Sequence, residues 1–349
     1  MNNKFKKLLF LFTISITLVF TSCAVTSNKM NSKSTGMSAT VETVKIVKSV
    51  EGTFVAADKY GNMETSIKAS DLLDNGYAYG DMVNVVVDGV SYIAPIVMTY
   101  SDVNVGNFLI SINGNQVFFA INYGNCQKKT GAEAKKPLTI SMNKAGAYSL
   151  EFEIRHLVKV ENRTDVASDE IFANFRDVTI GAIKEGVLFR SANPALADAR
   201  APYAEKLAKE AGVKTIVNFA DSEKSLAEHM NSIHWYKDMY QTGHVILLDM
   251  NVDYSSAEFG EKLGRGFNFM SENAGPYLIH CNEGKDRAGF ASVILESLMG
   301  GTIDEIQADY MISYDNYYGV KSGTDQYNYI ADTPYNMLLT ISNGVDVTN

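Results

Sequence analysis

The run from Pro276 to Gly289, Pro-Tyr-Leu-Ile-His-Cys-Asn-Glu-Gly-Lys-Asp-Arg-Ala-Gly, constrains the chain more than any other stretch. Tyr277, Leu278 and Ile279 form a short apolar run of the kind that makes a buried strand. From Ala288 onward, Phe290, Val293, Ile294 and Leu298 recur at helical spacing. Cys281 and Arg287 therefore sit on a turn that leads from a strand into a helix. Backbone N–H groups of such a turn, together with the open N–H groups of the first helical turn, converge on one concavity and make an anion site. A thiol of pKa about 8.5 is lowered to roughly 3.5–7.5 at a helix N-terminus or beside a cation, so Cys281 is expected as a thiolate nucleophile. Arg287 can fork onto two oxygens of one oxyanion, which a lysine cannot.

With His280 ahead of the cysteine and Gly284 inside the turn, the string HCNEGKDRAG resembles the phosphate-binding loop of the cysteine-dependent phosphatases, the protein-tyrosine and dual-specificity superfamily. Its Gly-Lys-Asp-Arg ending most resembles the bacterial branch that acts on phosphotyrosine and phosphoinositides. The resemblance covers roughly 150 to 345 and implies an α/β domain with a central, mostly parallel sheet flanked by helices. It implies Cys281 as nucleophile and Arg287 as phosphate ligand, with Asn282, Glu283, Gly284, Lys285 and Ala288 lining the substrate. No cofactor or metal is implied. Members of the family protonate the leaving oxygen with an aspartate on an earlier loop. Asp249, 32 residues before Cys281 and at the end of an expected strand His244 to Leu248, is the first candidate. Asp253 and the loop's own Asp286 are the others.

Three positions bear on that assignment. Relatives carry Thr or Ser after the arginine, where this chain has Ala288, so release of the thiolate from phosphorus is expected to be slow. They usually read Asp-Leu-Arg where this chain has Asn218-Phe219-Ala220, with Asp221 three residues on. Lys285 adds charge to the pocket floor for a substrate with more than one phosphate, or else offsets Glu283 and Asp286. Within the stretches Asn174 to Val178 and Leu188 to Ala192, Arg176 and Arg190 are expected either to extend the phosphate pocket or to brace the fold.

The N-terminus has a different character. Lys4, Lys6 and Lys7 precede an apolar run from Leu8 to Phe20, too short to span a bilayer and suited to a signal segment. Thr21-Ser22-Cys23 resembles the lipobox of bacterial lipoproteins, which implies cleavage after residue 22, lipidation of Cys23 and a place in the bacterial cell envelope, on the periplasmic or outer-membrane side. Removal of residues 1–22 takes the formal net charge from −9 to −12, which argues against binding of nucleic acid. Cys126 and Cys281 are then the remaining thiols. A disulfide between them would consume the nucleophile.

Residues 23–40 are polar and read as a tether. From 41 to 147 an all-β domain, barrel or sandwich, is expected from the β-branched runs Lys45–Val50, Gly52–Ala57, Met82–Val87 and Val90–Val97, with a hairpin at Asp88-Gly89 and a second at Asn113-Gly114. Asp58 to Asn62, Thr65 to Ile67, Gly80-Asp81 and Ala120 to Asn125 resemble the C-terminal domain of the S-adenosylmethionine hydroxide adenosyltransferases. The family's larger domain with the catalytic aspartate is absent from this sequence, so the module is expected to act as a scaffold, with adenosyl binding as the alternative. The phosphatase-like domain follows from 148 to 349, entered by one or two strands between Tyr148 and Val160. The leading expectation is a lipid-anchored hydrolase of phosphate monoesters, with phosphoproteins, inositol phosphates or phosphoinositides as substrates. A catalytically weak phospho-ligand binder is its rival.

Overall fold

The computed structural model describes residues 47–229 and 234–345. The expected signal segment, the tether and Cys23 lie outside the described residues. Contacts divide the described chain between Leu157 and Val158 into two compact units.

In the N-terminal unit seven strands close into a barrel, in the order β1 (Val50–Ala57), β2 (Met63–Lys68), β6 (Gln116–Ile121), β5 (Phe108–Asn113), β4 (Val90–Val97), β3 (Met82–Val87) and β7 (Pro137–Lys144). Pairing is antiparallel except between β4 and β5. β3 alternates half-buried and buried positions, with Val83, Val85 and Val87 turned inward as period-two patterning requires. Asp88 and Gly89 both take positive φ in the turn that joins β3 to β4. β7 pairs with both β1 and β3 and closes the barrel. Pro137 is tolerated because it opens the strand.

The expected strands between Tyr148 and Val160 are replaced by a helix, Ser149–Arg155. Tyr148 and Phe152, four residues apart, lie over Val97, Val103, Leu109 and Ala120. Both rings are half-buried against the barrel, one turn apart on the same face of the helix. Residues 148–157 accordingly belong with the barrel.

The second unit is built on a five-stranded sheet in the order β11 (Val245–Leu247), β10 (Thr215–Asn218), β12 (Tyr277–His280), β9 (Leu188–Ser191) and β8 (Arg176–Asp177). The first four strands are parallel and β8 pairs antiparallel at the edge. Successive residues serve opposite faces. Phe189, Ile216 and Leu278 meet Ala204, Leu207 and Tyr236 on one side. Leu188, Val217 and Ile279 meet Phe259, Leu263 and Phe290 on the other. Helix Ala257–Glu272 approaches the sheet through Gly266, where a Cβ would lie 3.0 Å from both Val217 and Leu248. Its N-cap is Ser256, whose hydroxyl accepts from the Phe259 N–H. A Thr302 and Glu305 capping box opens helix Ile303–Tyr318. Among the described residues no helix is long and apolar enough to cross a membrane.

Phe119 is fully buried in the barrel, stacked on Phe108 with the Tyr92 ring tilted against it. Phe119→Ala is expected to destabilise the barrel by about 3–5 kcal/mol. Urea unfolding should show the barrel's transition moved by that amount.

Candidate active site

β12 is the central strand, and the turn after it carries Cys281 into helix Arg287–Leu298. Cys281 is a free, buried cysteine packed among Val217, Phe219, Ile279 and Met250. Cys126, the other free thiol, lies in the barrel unit. Between Cys281 and the helix, three successive carbonyls are held from outside the loop. The backbone N–H of Asn193 donates to Asn282 O at 3.1 Å, Asn174 Nδ2 to Glu283 O at 2.9 Å, and Arg190 Nη2 to Gly284 O at 2.8 Å. In a trans peptide the C=O and the following N–H point in opposite directions. Carbonyls pulled outward therefore aim the N–H groups of Glu283, Gly284 and Lys285 into the cradle. Among the described residues no protein acceptor takes those three N–H groups.

Gly284 makes this path possible. Its φ is +67°, and a Cβ would stand 2.1 Å from Ser191 O. Arg287 closes the cradle. Its Nη1 donates to Met250 O at 2.8 Å, while its Nε is buried without a protein partner. A buried, unspent guanidinium N–H at the end of the turn that Cys281 begins is suited to an oxyanion.

The two expected auxiliary arginines are engaged by protein partners. Arg176 spends Nε and Nη2 on Asp309, at 2.7 and 3.2 Å, and Nη1 on Asn174 Oδ1 at 3.0 Å. Arg190 is wholly buried and divides its donors between Asp309 Oδ2, at 2.7 Å, and Gly284 O. Both guanidiniums are thus spent on protein groups that hold the loop. Burial would raise the Asp309 carboxyl, but the two guanidiniums hold it at about 2. Asn174 takes a positive φ and uses all of its amide, donating also to Ser313 and accepting from Arg176 and Asn316.

Lys285 is buried, with Nζ 2.9 Å from Asp286 Oδ1, 3.8 Å from Glu283 Oε2 and 4.8 Å above the ring of Tyr314. Burial disfavours its charge, but Tyr314, Asp286 and Tyr318 outweigh that and hold its pKa above the ordinary value. Asp286 is thereby paired to its neighbour. Glu283 also meets Lys159. Asn282 is exposed at the rim, and Ala288 is fully buried in the first helical turn.

Of the candidate acids, Asp249 is exposed at the end of β11 with φ +44°, and its backbone is tied by its N–H to Asp221 O and by its carbonyl to Lys262 Nζ. Asp253 uses its carboxylate to hold the N–H and hydroxyl of Ser255. Among the described residues no group of three or more His, Cys, Asp or Glu side chains is disposed to hold a metal.

Behind the loop lies a polar network. His280 Nε2 meets Tyr236 OH at 2.9 Å, Tyr236 OH accepts from Asn218 Nδ2 at 3.0 Å, and Asn218 Nδ2 also reaches Asp221 at 2.8 Å. Burial drives the His280 imidazole down to about 4, against the raising pull of Asp221. The bracing residues Asn174, Asn193, Tyr236 and Asp309 were not singled out from sequence. The available signal was weak: an Asp on the same helix face as Ile306 and Tyr310, and asparagines that tolerate positive φ.

Residues 169–338 match the tyrosine phosphatase family model. That segment is a tyrosine phosphatase family domain. A Cupriavidus necator protein named provisionally as a tyrosine-protein phosphatase is 30% identical over 182 residues, which are 44% of this chain and 64% of the relative. The match thus spans less than two thirds of that relative. Among solved structures, P. aeruginosa TpbA in complex with phosphotyrosine is 17% identical, covering 54% of this chain and 98% of that one, with a TM-score of 0.30. The core catalytic domain of the PP-IP phosphatase SIW14 from S. cerevisiae is 15% identical, covering 49% and 98%, with a TM-score of 0.27. Residues 52–139 match the SAM hydroxide adenosyltransferase C-terminal domain. In the barrel unit, Tyr60, Asn62, Tyr100, Tyr123 and Asn125 border an open concavity of about 500 Å³.

Gly284→Ala is expected to cost roughly a hundredfold or more in oxyanion affinity, because the added Cβ displaces the carbonyl of Ser191 or the loop itself. Tungstate titration of the two proteins measures it. The depressed His280 pKa sets a pH limb. The unfolded chain takes up that proton near 6.5 and the folded chain only near 4. Stability is therefore whole above 6.5 and falls by up to about 3 kcal/mol as pH drops to 4. His280→Gln should flatten this limb in urea unfolding at pH 7 and 4.5.

Proposed function

We propose that the C-terminal unit hydrolyses phosphate monoesters through a phosphocysteine intermediate, with phosphotyrosine in proteins as the first substrate class. The observation that carries this reading is the set of outward-held carbonyls at Asn282, Glu283 and Gly284, which turns three amides inward beside Cys281 and Arg287. An amide cradle with a forked cation fits the three equatorial oxygens of a phosphoryl group in transfer.

In the first step the Cys281 sulfur bonds to phosphorus as the ester P–O bond breaks. Asp249 gives its proton to the departing oxygen. In the second, water attacks phosphorus, its proton passes to Asp249 and the S–P bond breaks, releasing inorganic phosphate. Arg287 and the amides hold the phosphoryl oxygens throughout. Ala288 offers no hydroxyl to the leaving thiolate, and a missing hydrogen bond of that kind slows the second step by roughly ten- to a hundredfold.

Lys285 narrows the substrate. Its ammonium is already engaged by Asp286 and the face of Tyr314, which favours its role of offsetting the loop's acids over binding a second phosphate. Inositol phosphates and phosphoinositides are therefore the second class. On the same reading, the leader and Cys23 tether the enzyme to a bacterial envelope membrane. The aromatic concavity of the barrel supports a second, separate reading, an adenosyl-compound site. Asn62 Nδ2 is engaged there by Asp58 and Asn125 Oδ1 by the Lys128 N–H, so the tyrosine rings would supply most of the contact.

Wild-type protein should hydrolyse p-nitrophenyl phosphate and phosphotyrosine peptide, and Cys281→Ser should abolish both. Rapid-quench mass spectrometry should catch a phosphate adduct on wild type. Equal hydrolysis by the Ser variant would exclude the mechanism. Calorimetric titration with S-adenosylmethionine and adenosine tests the barrel, and absence of heat removes the second reading.

A further inference from the structure

Asp221 was set aside in the sequence because it stands three residues beyond the position where relatives carry an acid. Its surroundings give it a different part. It is 5% exposed. Its Oδ2 accepts from Asn193 Nδ2 and Asn218 Nδ2, each at 2.8 Å, and its Oδ1 from Ser225 Oγ at 3.1 Å. Asn193 is locked at both ends, since its Oδ1 accepts from the Ala195 N–H at 2.8 Å. The backbone N–H of that same asparagine holds Asn282 O, the first of the outward-turned carbonyls.

The other end of Asp221 faces the acid loop. Its carbonyl accepts from the N–H of Asp249 at 3.2 Å, beside bonds from Leu248 to Asn218 O and from Met250 to Phe219 O, both at 2.9 Å. Met250 O in turn holds Arg287 Nη1. One residue thus reaches the nucleophile's loop through Asn193 and the candidate acid through its own main chain.

We propose that Asp221 is a positioning residue that keeps the phosphate-binding loop and the Asp249 loop in register, acting through hydrogen bonds it accepts and not as a proton donor. This rests on the phosphatase reading for its kinetic consequence. Burial alone would raise the Asp221 carboxyl, but donation from Asn218 and Asn193 holds it below the ordinary value, so it remains an acceptor across the physiological range. A carboxylate already receiving three donors in a dry site has no proton to give at neutral pH.

The chemistry of the amide separates positioning from charge. In Asp221→Asn the amide oxygen can still accept from Asn193 and Asn218, and the amide nitrogen can donate to Ser225 Oγ. In Asp221→Ala both asparagine amides lose their acceptor. The full-length protein and both variants are titrated with tungstate and then assayed on p-nitrophenyl phosphate and phosphotyrosine peptide, with melting temperatures recorded alongside. Asp221→Ala is expected to weaken tungstate roughly tenfold, with Asp221→Asn within about threefold of wild type. Because p-nitrophenolate leaves without a proton, the ratio of kcat on phosphotyrosine to kcat on p-nitrophenyl phosphate should fall roughly tenfold in Asp221→Ala and recover in Asp221→Asn. Merely lowered stability would move the melting temperature and leave that ratio alone. The proposal is overturned if Asp221→Ala binds tungstate like wild type, or if Asp221→Asn is as impaired as Asp221→Ala. Should wild type show no turnover dependent on Cys281, the phosphatase reading fails, and the tungstate comparison still decides the role of Asp221.

Discussion

The site depends on where three carbonyl oxygens point. A seven-residue turn left to itself can satisfy its C=O groups in any direction, including into its own concavity, where they would repel an anion. Here Asn193, Asn174 and Arg190 each claim one. These three come from chain before β10, so the cradle is shaped by the sheet edge and its flanking loops rather than by the turn's own sequence. Gly284 is the consequence at the level of residue choice, since no side chain fits between the turn and Ser191.

Holding a carbonyl with a wholly buried guanidinium has a cost. Arg190 loses its hydration, and Asp309 compensates by pairing with both Arg190 and Arg176. Glu296, also buried nearby and bonded to Ser292, is pushed up to about 8 by burial and by the charge of Asp309. It is therefore neutral at physiological pH, and the cluster carries two guanidiniums against one carboxylate. The net positive charge lies behind Gly284, where it adds to the field that the amides and the helix N-terminus direct at the cradle. A second ionised carboxylate would cancel it.

How much of this was readable in advance follows from the range of the interactions. The strand-turn-helix of the loop, β3, β4 and their hairpin are governed by neighbours in sequence, and patterning alone located them. The closing strand β7 was missed because Pro137 and the lysines around it look like a linker, and its identity comes only from pairing with β1 and β3 at long range. Helix Ser149–Arg155 was misread because a short amphipathic run fits two periods, and the surface it covers decided between them. At the site, Cys281, Gly284 and Arg287 were legible as a motif. Their braces were not, since Asn174 to Glu283 and Arg190 to Asp309 each span more than a hundred residues.

The distribution of charge bears on how such a site selects its ligand. The whole chain is acidic, with a formal net charge of −9, and the loop itself carries Glu283 and Asp286. Those two occupy Lys285 and Lys159, so the lysines around the cradle project little field into solvent. Long-range steering of a polyanion toward this face is therefore weak. What remains attractive is short-ranged: inward amides, the free Nε of Arg287 and the buried excess charge behind them. A site of that kind discriminates at contact distance, by whether a tetrahedral oxyanion seats in the cradle.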